Sequence, residues 1–273
     1  MKRADGHFSS SLARGLAILA SFAPSRPLMG ISELAQLLDM NSATVHRYVR
    51  TLEHLGYLAQ DRATRRYRLA ARVVDLGMAT INSMALREIA APALKELSAS
   101  ARQTVSLAVL DDLEIVYVDR VLAPMSLNFN LSVGSRLPAY CTSMGKALLA
   151  HLPADELTSR LRRVEFPRRG PNAIMSRRAL LQELERVREL GYAVNNEEID
   201  YGLRSIAAPI SSSAGTAVAA INLAVHASRF TITQLVSKHA AAVMATAQGV
   251  SRQLGHKVER KGRAAERSAA ARA

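Results

Sequence analysis

The sequence predicts an α+β protein of two domains, on three observations. Between Ile31 and Leu69, two short amphipathic helix patterns separated by a turn are followed by an alternating hairpin pattern with an arginine-rich tip. From Thr104 to Val225 strand-like runs are interspersed with helical ones. The 273 residues, 49% of them hydrophobic, are enough for about two packed cores.

The first helical pattern, ISELAQLLD, repeats apolar residues at Ile31, Leu34, Ala35 and Leu38, with Ser32 as the expected cap. After the turn Asp39-Met40-Asn41, either Asn41 or Ser42 is expected to cap a second helix, which repeats Val45, Tyr48, Val49 and Leu52 and stops before Gly56. At 3.6 residues per turn, Ala43, His46, Arg47, Arg50 and His54 point the other way. That face suits the major groove of DNA. Ser42, Ala43 and Thr44 let the backbone approach, and Arg47 and Arg50, with His46 on the same side, reach base edges and phosphates.

The next stretch, GYLAQDRATRRYRL, alternates around a polar centre as a two-stranded wing does, and Arg62, Arg65 and Arg66 are expected along the phosphate backbone. A charged helix face alone usually means a solvated surface. Helix, turn, helix and basic wing in this order and length point instead to a winged helix-turn-helix over residues 8–70, with a double-stranded DNA operator as its partner. Ahead of it, SLARGLAILASFA sets Leu12, Leu16 and Leu19 on one side, so a helix is expected to pack behind the pair and to end before Pro24 and Pro27.

Residues 71–86 read as a linker helix with a bend at Gly77, and Pro92 as a first-turn proline of the following helix. Residues 87–256 carry the strands TVSLAVL and EIVYVDRV about a turn at Asp111-Asp112, a third strand at SLNFNLS, and a helix over YCTSMGKALLAHL. Helices at ADELTSRLRR and SRRALLQELERVREL follow, the second ended by Gly191. Then come the strands RSIAAPIS and AVAAINLAV and a last helix to about Gly255. Such a mixture suggests an antiparallel sheet flanked by helices. Residues 257–273, with six basic and two acidic side chains and no apolar stripe, read as a disordered basic tail that adds nonspecific attraction to DNA.

The formal net charge of +13 favours an anionic partner. One cysteine, Cys141, excludes an internal disulfide and a cysteine-based zinc site and fits a reducing cytoplasm. No run of 18 apolar residues and no apolar export signal is found, so no membrane partner is expected. Nor is catalysis, a metal or a cofactor. Cys141 has no histidine in any recognisable signature, Gly145-Lys146 is followed by Ala147 where a phosphate loop needs a hydroxyl, and His46 and His54 stand eight apart.

SLARGLAIL, ISELAQLLDMNSATVHRYVRTLEHLGYL, RLPAYCTSMGKALLAHL, GYAVNNEEIDYGLRSIAAPI and AAINLAVHASR together resemble the IclR family of transcriptional regulators, from Ser11 to about Leu254. LPAYCTSMGKALLA and NLAVHASR are most similar to its branch controlling protocatechuate, 4-hydroxybenzoate and β-ketoadipate catabolism. The resemblance implies a winged helix-turn-helix joined by a linker helix to a GAF-like effector-binding domain, assembled as a homodimer or homotetramer on DNA. It allows RNA polymerase as a further partner.

The effector expected is a small aromatic or dicarboxylic acid. At Tyr140 to Gly145 backbone N–H groups and the hydroxyls of Thr142 and Ser143 gather at a helix start, a natural carboxylate site, with Met144 beside them. Matching motif to motif, the resemblance adds Asn195, Ser205, Asn222 and Ala224. Relatives that bind small oxoacids carry an acid, a cysteine and two serines there, so the asparagines and Ala224 would suit a longer or ring-bearing acid. Arg136 and Arg204 are candidate counter-charges, with ion pairing to Glu197, Glu198 or Asp200 the favoured role for Arg204. Effector binding is expected to alter the separation of paired DNA-reading heads through the linker about Gly77. The alternative is a DNA-binding protein whose C-terminal domain only oligomerises.

Overall fold

The computed structural model describes residues 8–23, 25–76, 85–123 and 131–256. Pro24, Gly77, most of the strand expected at SLNFNLS and the tail 257–273 lie outside the described residues. The chain divides into two compact units between Ser83 and Met84.

The first unit holds α1 (Ser10–Ala20), α2 (Ile31–Leu38), α3 (Ser42–His54) and the hairpin of β1 (Leu58–Gln60) and β2 (Tyr67–Leu69). Ile18, Phe22, Leu34, Val45, Val49, Leu58 and Tyr67 form its core, so the apolar stripes of α2 and α3 meet as their periodicity requires. The expected cap Ser32 is not used. Gly30 precedes α2 in extended backbone, and its N–H donates to Glu33 Oε2 at 2.6 Å. Asn41 caps α3 by accepting the Ala43 N–H at 2.8 Å, and Asp39 closes α2 in the left-handed region, φ 51°.

The expected packing of α1 is corrected too. Leu12 and Leu16 are 65% and 56% exposed, and the helix is anchored by fully buried Ile18 with Leu19 partly buried beside it. Ile18 stands about 100° round the helix from Leu19 and further from Leu12 and Leu16, so the inward face lies off the leucine row.

The second unit is a six-stranded antiparallel sheet in the order β5-β4-β3-β8-β7-β6. The strands are β3 (Thr104–Asp111), β4 (Glu114–Val121), β5 (Arg136–Pro138), β6 (Ala193–Asn196), β7 (Leu203–Ser211) and β8 (Ala217–His226). One face packs on α4, described over Ala85–Ala101, and α8 (Ile232–Gln253), with Leu94, Leu97, Leu235, Val243 and Val250 against Leu107, Ile206 and Ile221. The other packs on α5 (Ser143–Leu149), α6 (Ala154–Leu161) and α7 (Arg177–Leu190) through Leu148, Leu157, Leu161, Leu180 and Leu184. Alternation along β7 and β8 therefore feeds two cores.

Three local expectations are revised. Pro92 lies well inside α4 rather than in a first turn; burial of Ala90, Leu94 and Leu97 around it holds the helix together across the missing N–H. The β3–β4 turn is Asp112-Leu113, since Asp111 pairs with Glu114, and Asp112 takes the left-handed conformation, φ 53°. The stretch expected as one helix from Tyr140 opens with a 3-10 turn, Ala139–Cys141, before α5.

Gly145 explains how α5 sits on that turn. A Cβ there would come within 2.2 Å of the Ala139 carbonyl oxygen, so only glycine permits the approach.

Candidate functional site

On α3, Ser42, Ala43, His46, Arg47 and Arg50 are exposed and Thr44 is half-buried. Arg47 extends over the Tyr48 ring at 5.8 Å. Arg50 is ion-paired with Glu53 one turn on, at 2.7 Å. On the wing, Asp61 builds the tip by accepting the backbone N–H and the hydroxyl of Thr64 at 2.8 and 2.7 Å, which holds its carboxyl below the usual value. Arg65 takes φ 60°, with its carbonyl accepting from Gln60 Nε2 at 3.0 Å.

Arg62 and Arg65 are exposed at this tip. Arg66 is occupied differently. Its Nη2 donates to both Glu33 oxygens, at 2.5 and 2.6 Å, so it ties the wing to the start of α2. The Gly30 N–H and then this guanidinium hold the Glu33 carboxyl low. Among the described residues, Arg66 thus differs from Arg62 and Arg65 in having an acidic partner for its charge.

In the second unit a single cavity is lined by all seven expected residues: Thr142, Ser143, Met144, Asn195, Ser205, Asn222 and Ala224. Strand register explains the convergence. Asn195 pairs with Ser205 and Ser205 with Ala224 across β6, β7 and β8. In the next row Asn222 pairs with Ser106, and Ser106 with Arg120, across β8, β3 and β4. Ser143 Oγ lies 2.7 Å from Ser205 Oγ, joining α5 to the sheet.

The first turn of α5 is less open than its sequence suggests. The Gly145 N–H donates to Thr142 Oγ1 at 3.1 Å, and the Lys146 N–H to the Thr142 carbonyl at 2.9 Å. The polar capacity of the cavity lies on the sheet instead. Asn222 is 5% exposed and, among the described residues, neither its Oδ1 nor the buried Arg120 Nε has a hydrogen-bond partner. Unpaired buried polar atoms are uncommon and costly.

Arg120, Tyr117 and Ser106 were missed by sequence reading. The Arg120 guanidinium lies over the Tyr117 ring at 5.7 Å. Burial lowers the Arg120 pKa from the usual guanidinium value and pushes the Tyr117 phenol up to about 12, so the ring stays neutral. The proposed counter-charges are engaged elsewhere. Arg136 pairs with Asp111 and Glu114 at 2.6 and 2.7 Å, and Arg204 with Glu197 at 3.0 Å and with the Ala227 and Phe230 carbonyls.

The cavity has about 20 Å³ of free volume, roughly one ordered water. Cys141 is fully buried and burial pushes its thiol up to about 12, which argues against a nucleophile. Among the described residues no group of histidine, cysteine and carboxylate side chains could hold a metal, and no helix is long and apolar enough to cross a membrane.

Residues 11–62 match the family model described as the IclR helix-turn-helix domain, and residues 78–252 the one described as the bacterial transcriptional regulator IclR C-terminal domain. The chain is 34% identical over 251 residues to the Pca regulon regulatory protein of Pseudomonas putida, covering 92% of this chain and 86% of that protein. A solved transcriptional regulator from Rhodococcus sp. RHA1 is 37% identical, with a TM-score of 0.77, covering 90% of this chain and 98% of that one. An IclR homologue from Microbacterium hydrocarbonoxydans, solved in complex with 4-hydroxybenzoate, is 25% identical with a TM-score of 0.76 over 90% of this chain and 99% of that one.

Proposed function

The chain belongs to the IclR family of transcriptional regulators, and from that premise we propose that it controls a catabolic operon in response to a small organic acid. It is a regulator and not an enzyme. Residues 8–70 serve as the DNA-reading head, 71–86 as the linker and 87–256 as the sensor. The cytoplasm is its place of work.

In this reading α3 enters the major groove of the operator. Ser42, Ala43 and Thr44 allow the approach, Arg47 and His46 read base edges, and Arg50, Arg62 and Arg65 meet phosphates. Arg66 works through the wing, because its guanidinium holds both Glu33 oxygens and fastens the hairpin to α2.

The effector reading is carried by Arg120 and Asn222, which flank Ser106 in one register row, line the same cavity and each hold a polar atom without a partner among the described residues. A carboxylate is the natural partner of the guanidinium, and a hydroxyl or second acid of the Asn222 Oδ1, the latter in its protonated form. Ser143, Ser205 and Asn195 supply further hydrogen bonds, Met144 and Ala224 apolar contact. An aromatic or dicarboxylic acid fits this chemistry, in keeping with the acid bound by the Microbacterium homologue and the Pca regulon controlled by the Pseudomonas relative.

Such a ligand exceeds the present free volume, so its entry displaces the Ser143–Ser205 bridge and moves α5 relative to β7. In a homodimer or homotetramer that movement, relayed through the linker, alters which half-site spacing the heads match. The narrowness of the cavity also favours a second reading, in which the domain oligomerises without an effector. A thermal-shift series with aromatic and dicarboxylic acids decides between them: a concentration-dependent rise in Tm supports sensing, and no rise with any acid supports the second reading.

A further inference from the structure

Beside α5, at Lys146, a groove of about 560 Å³ runs between α7, β6 and the start of α8. That is the size of an ordinary small-molecule site. Its walls are largely apolar, with Val187, Leu190, Tyr192, Val194, Ile232 and Val236, and its lining includes two deeply buried charges. Lys146 is 1% exposed and its Nζ lies 2.6 Å from Glu198 Oε1 and 3.2 Å from Glu183 Oε1.

This ion pair is incompletely satisfied. An ammonium has three N–H donors, and the two carboxylates use two of them. Glu198 is 6% exposed, yet its Oε2 has no partner among the described residues. A pair serving only to fasten α5 to the segment after β6 would be stabilised by closing both valences, since a half-satisfied buried network costs more than an apolar one. Lys146 and Arg186 balance Glu183 and Glu198 among the lining groups, so the groove offers no net charge to an ionic ligand.

We propose that this groove is a second small-molecule site, taking a neutral primary amide with an apolar body. The amide NH2 donates to Glu198 Oε2, its carbonyl accepts the remaining Lys146 N–H, and the apolar body lies along Tyr192, Val194 and Val236. The site stands independently of the acid-sensing reading. It shares an element with the acid cavity, because Lys146 is in α5 beside Ser143 and Met144, and because the Glu198 N–H donates to Asn195 Oδ1 at 2.9 Å.

Phenylacetamide is the probe, applied to the full chain in thermal-shift and saturation-transfer NMR measurements, with phenylacetate as the charged control. At tenfold excess over Kd it is expected to raise Tm by about 3–6 °C. The shift is retained in Asn222→Leu, which alters only the acid cavity, and lost in Val194→Trp, which fills the groove. Val236→Trp repeats the test from the α8 wall should Val194→Trp fold poorly. Absence of both Tm shift and saturation transfer, an equal response to phenylacetate in Arg120→Met, whose acid cavity lacks its guanidinium, or a response that survives both tryptophan variants overturns the proposal. So does loss of the response in Asn222→Leu, which would mean the amide occupies the acid cavity.

Discussion

Ser143 Oγ on α5 and Ser205 Oγ on β7 are hydrogen-bonded at 2.7 Å, and both residues line the cavity that Asn222 and Arg120 also line. A hydrogen bond between neutral groups contributes only about 1 kcal/mol. Ser205→Ala is therefore expected to leave Tm within a few degrees of the parent and to change acid affinity by less than about tenfold. A calorimetric titration of each protein checks it.

Arg120 carries more. With its Nε buried and unpartnered, Arg120→Met should leave Tm unchanged or raise it, since a costly unpaired group is removed. The same substitution should weaken acid binding by about 10- to 100-fold, the worth of a hydrogen bond to a charged group. Equal loss of stability and affinity would make the residue structural.

On the DNA side, Arg47→Ala is expected to cost about 1–3 kcal/mol on the operator and little on random duplex, measured by fluorescence anisotropy. Equal losses on both would make Arg47 a phosphate contact.

The two classes of wing arginine should separate in a salt titration. Replacing Arg62 and Arg65 by alanine lowers the slope of log K against log salt by about 0.9 for each phosphate no longer neutralised, while sparing site preference. Arg66→Ala instead unfastens the wing from Glu33, and Glu33→Ala should reproduce its effect on operator affinity. If Glu33→Ala tightens binding while Arg66→Ala weakens it, Arg66 is a phosphate contact after all.

Cys141 gives a check on the buried second unit. A thiol pKa of about 12 leaves about one thiolate in ten thousand at pH 8. Iodoacetamide should label the native protein very slowly until the pH nears that value or the domain unfolds. Rapid labelling at pH 8 would contradict the burial.

Much of this was legible in the sequence, and the failures have physical causes. α2, α3 and the wing follow from periodicity because each buries one stripe against a small shared core. Asn195, Ser205, Asn222 and Ala224 converge because their strands pair in regular register. Arg120 was hidden by a bulge. The register slips between Leu107 and Ala108, so Leu107 pairs with Asp119 while Ala108 pairs with Tyr117. The extra residue reverses the alternation, and Tyr117 and Arg120, three apart, end on one face. The α1 leucine row misled for another reason: periodicity marks an apolar face and cannot say what covers it.

The most direct test is an anisotropy titration of the purified full chain on its own upstream DNA, with aromatic and dicarboxylic acids added in turn, in parallel with Arg120→Met. The account predicts tighter binding there than to a scrambled duplex, an acid that shifts that affinity, and loss of the shift in Arg120→Met with acid-free affinity intact. No preference for the upstream duplex, or an acid effect undiminished in Arg120→Met, would contradict it.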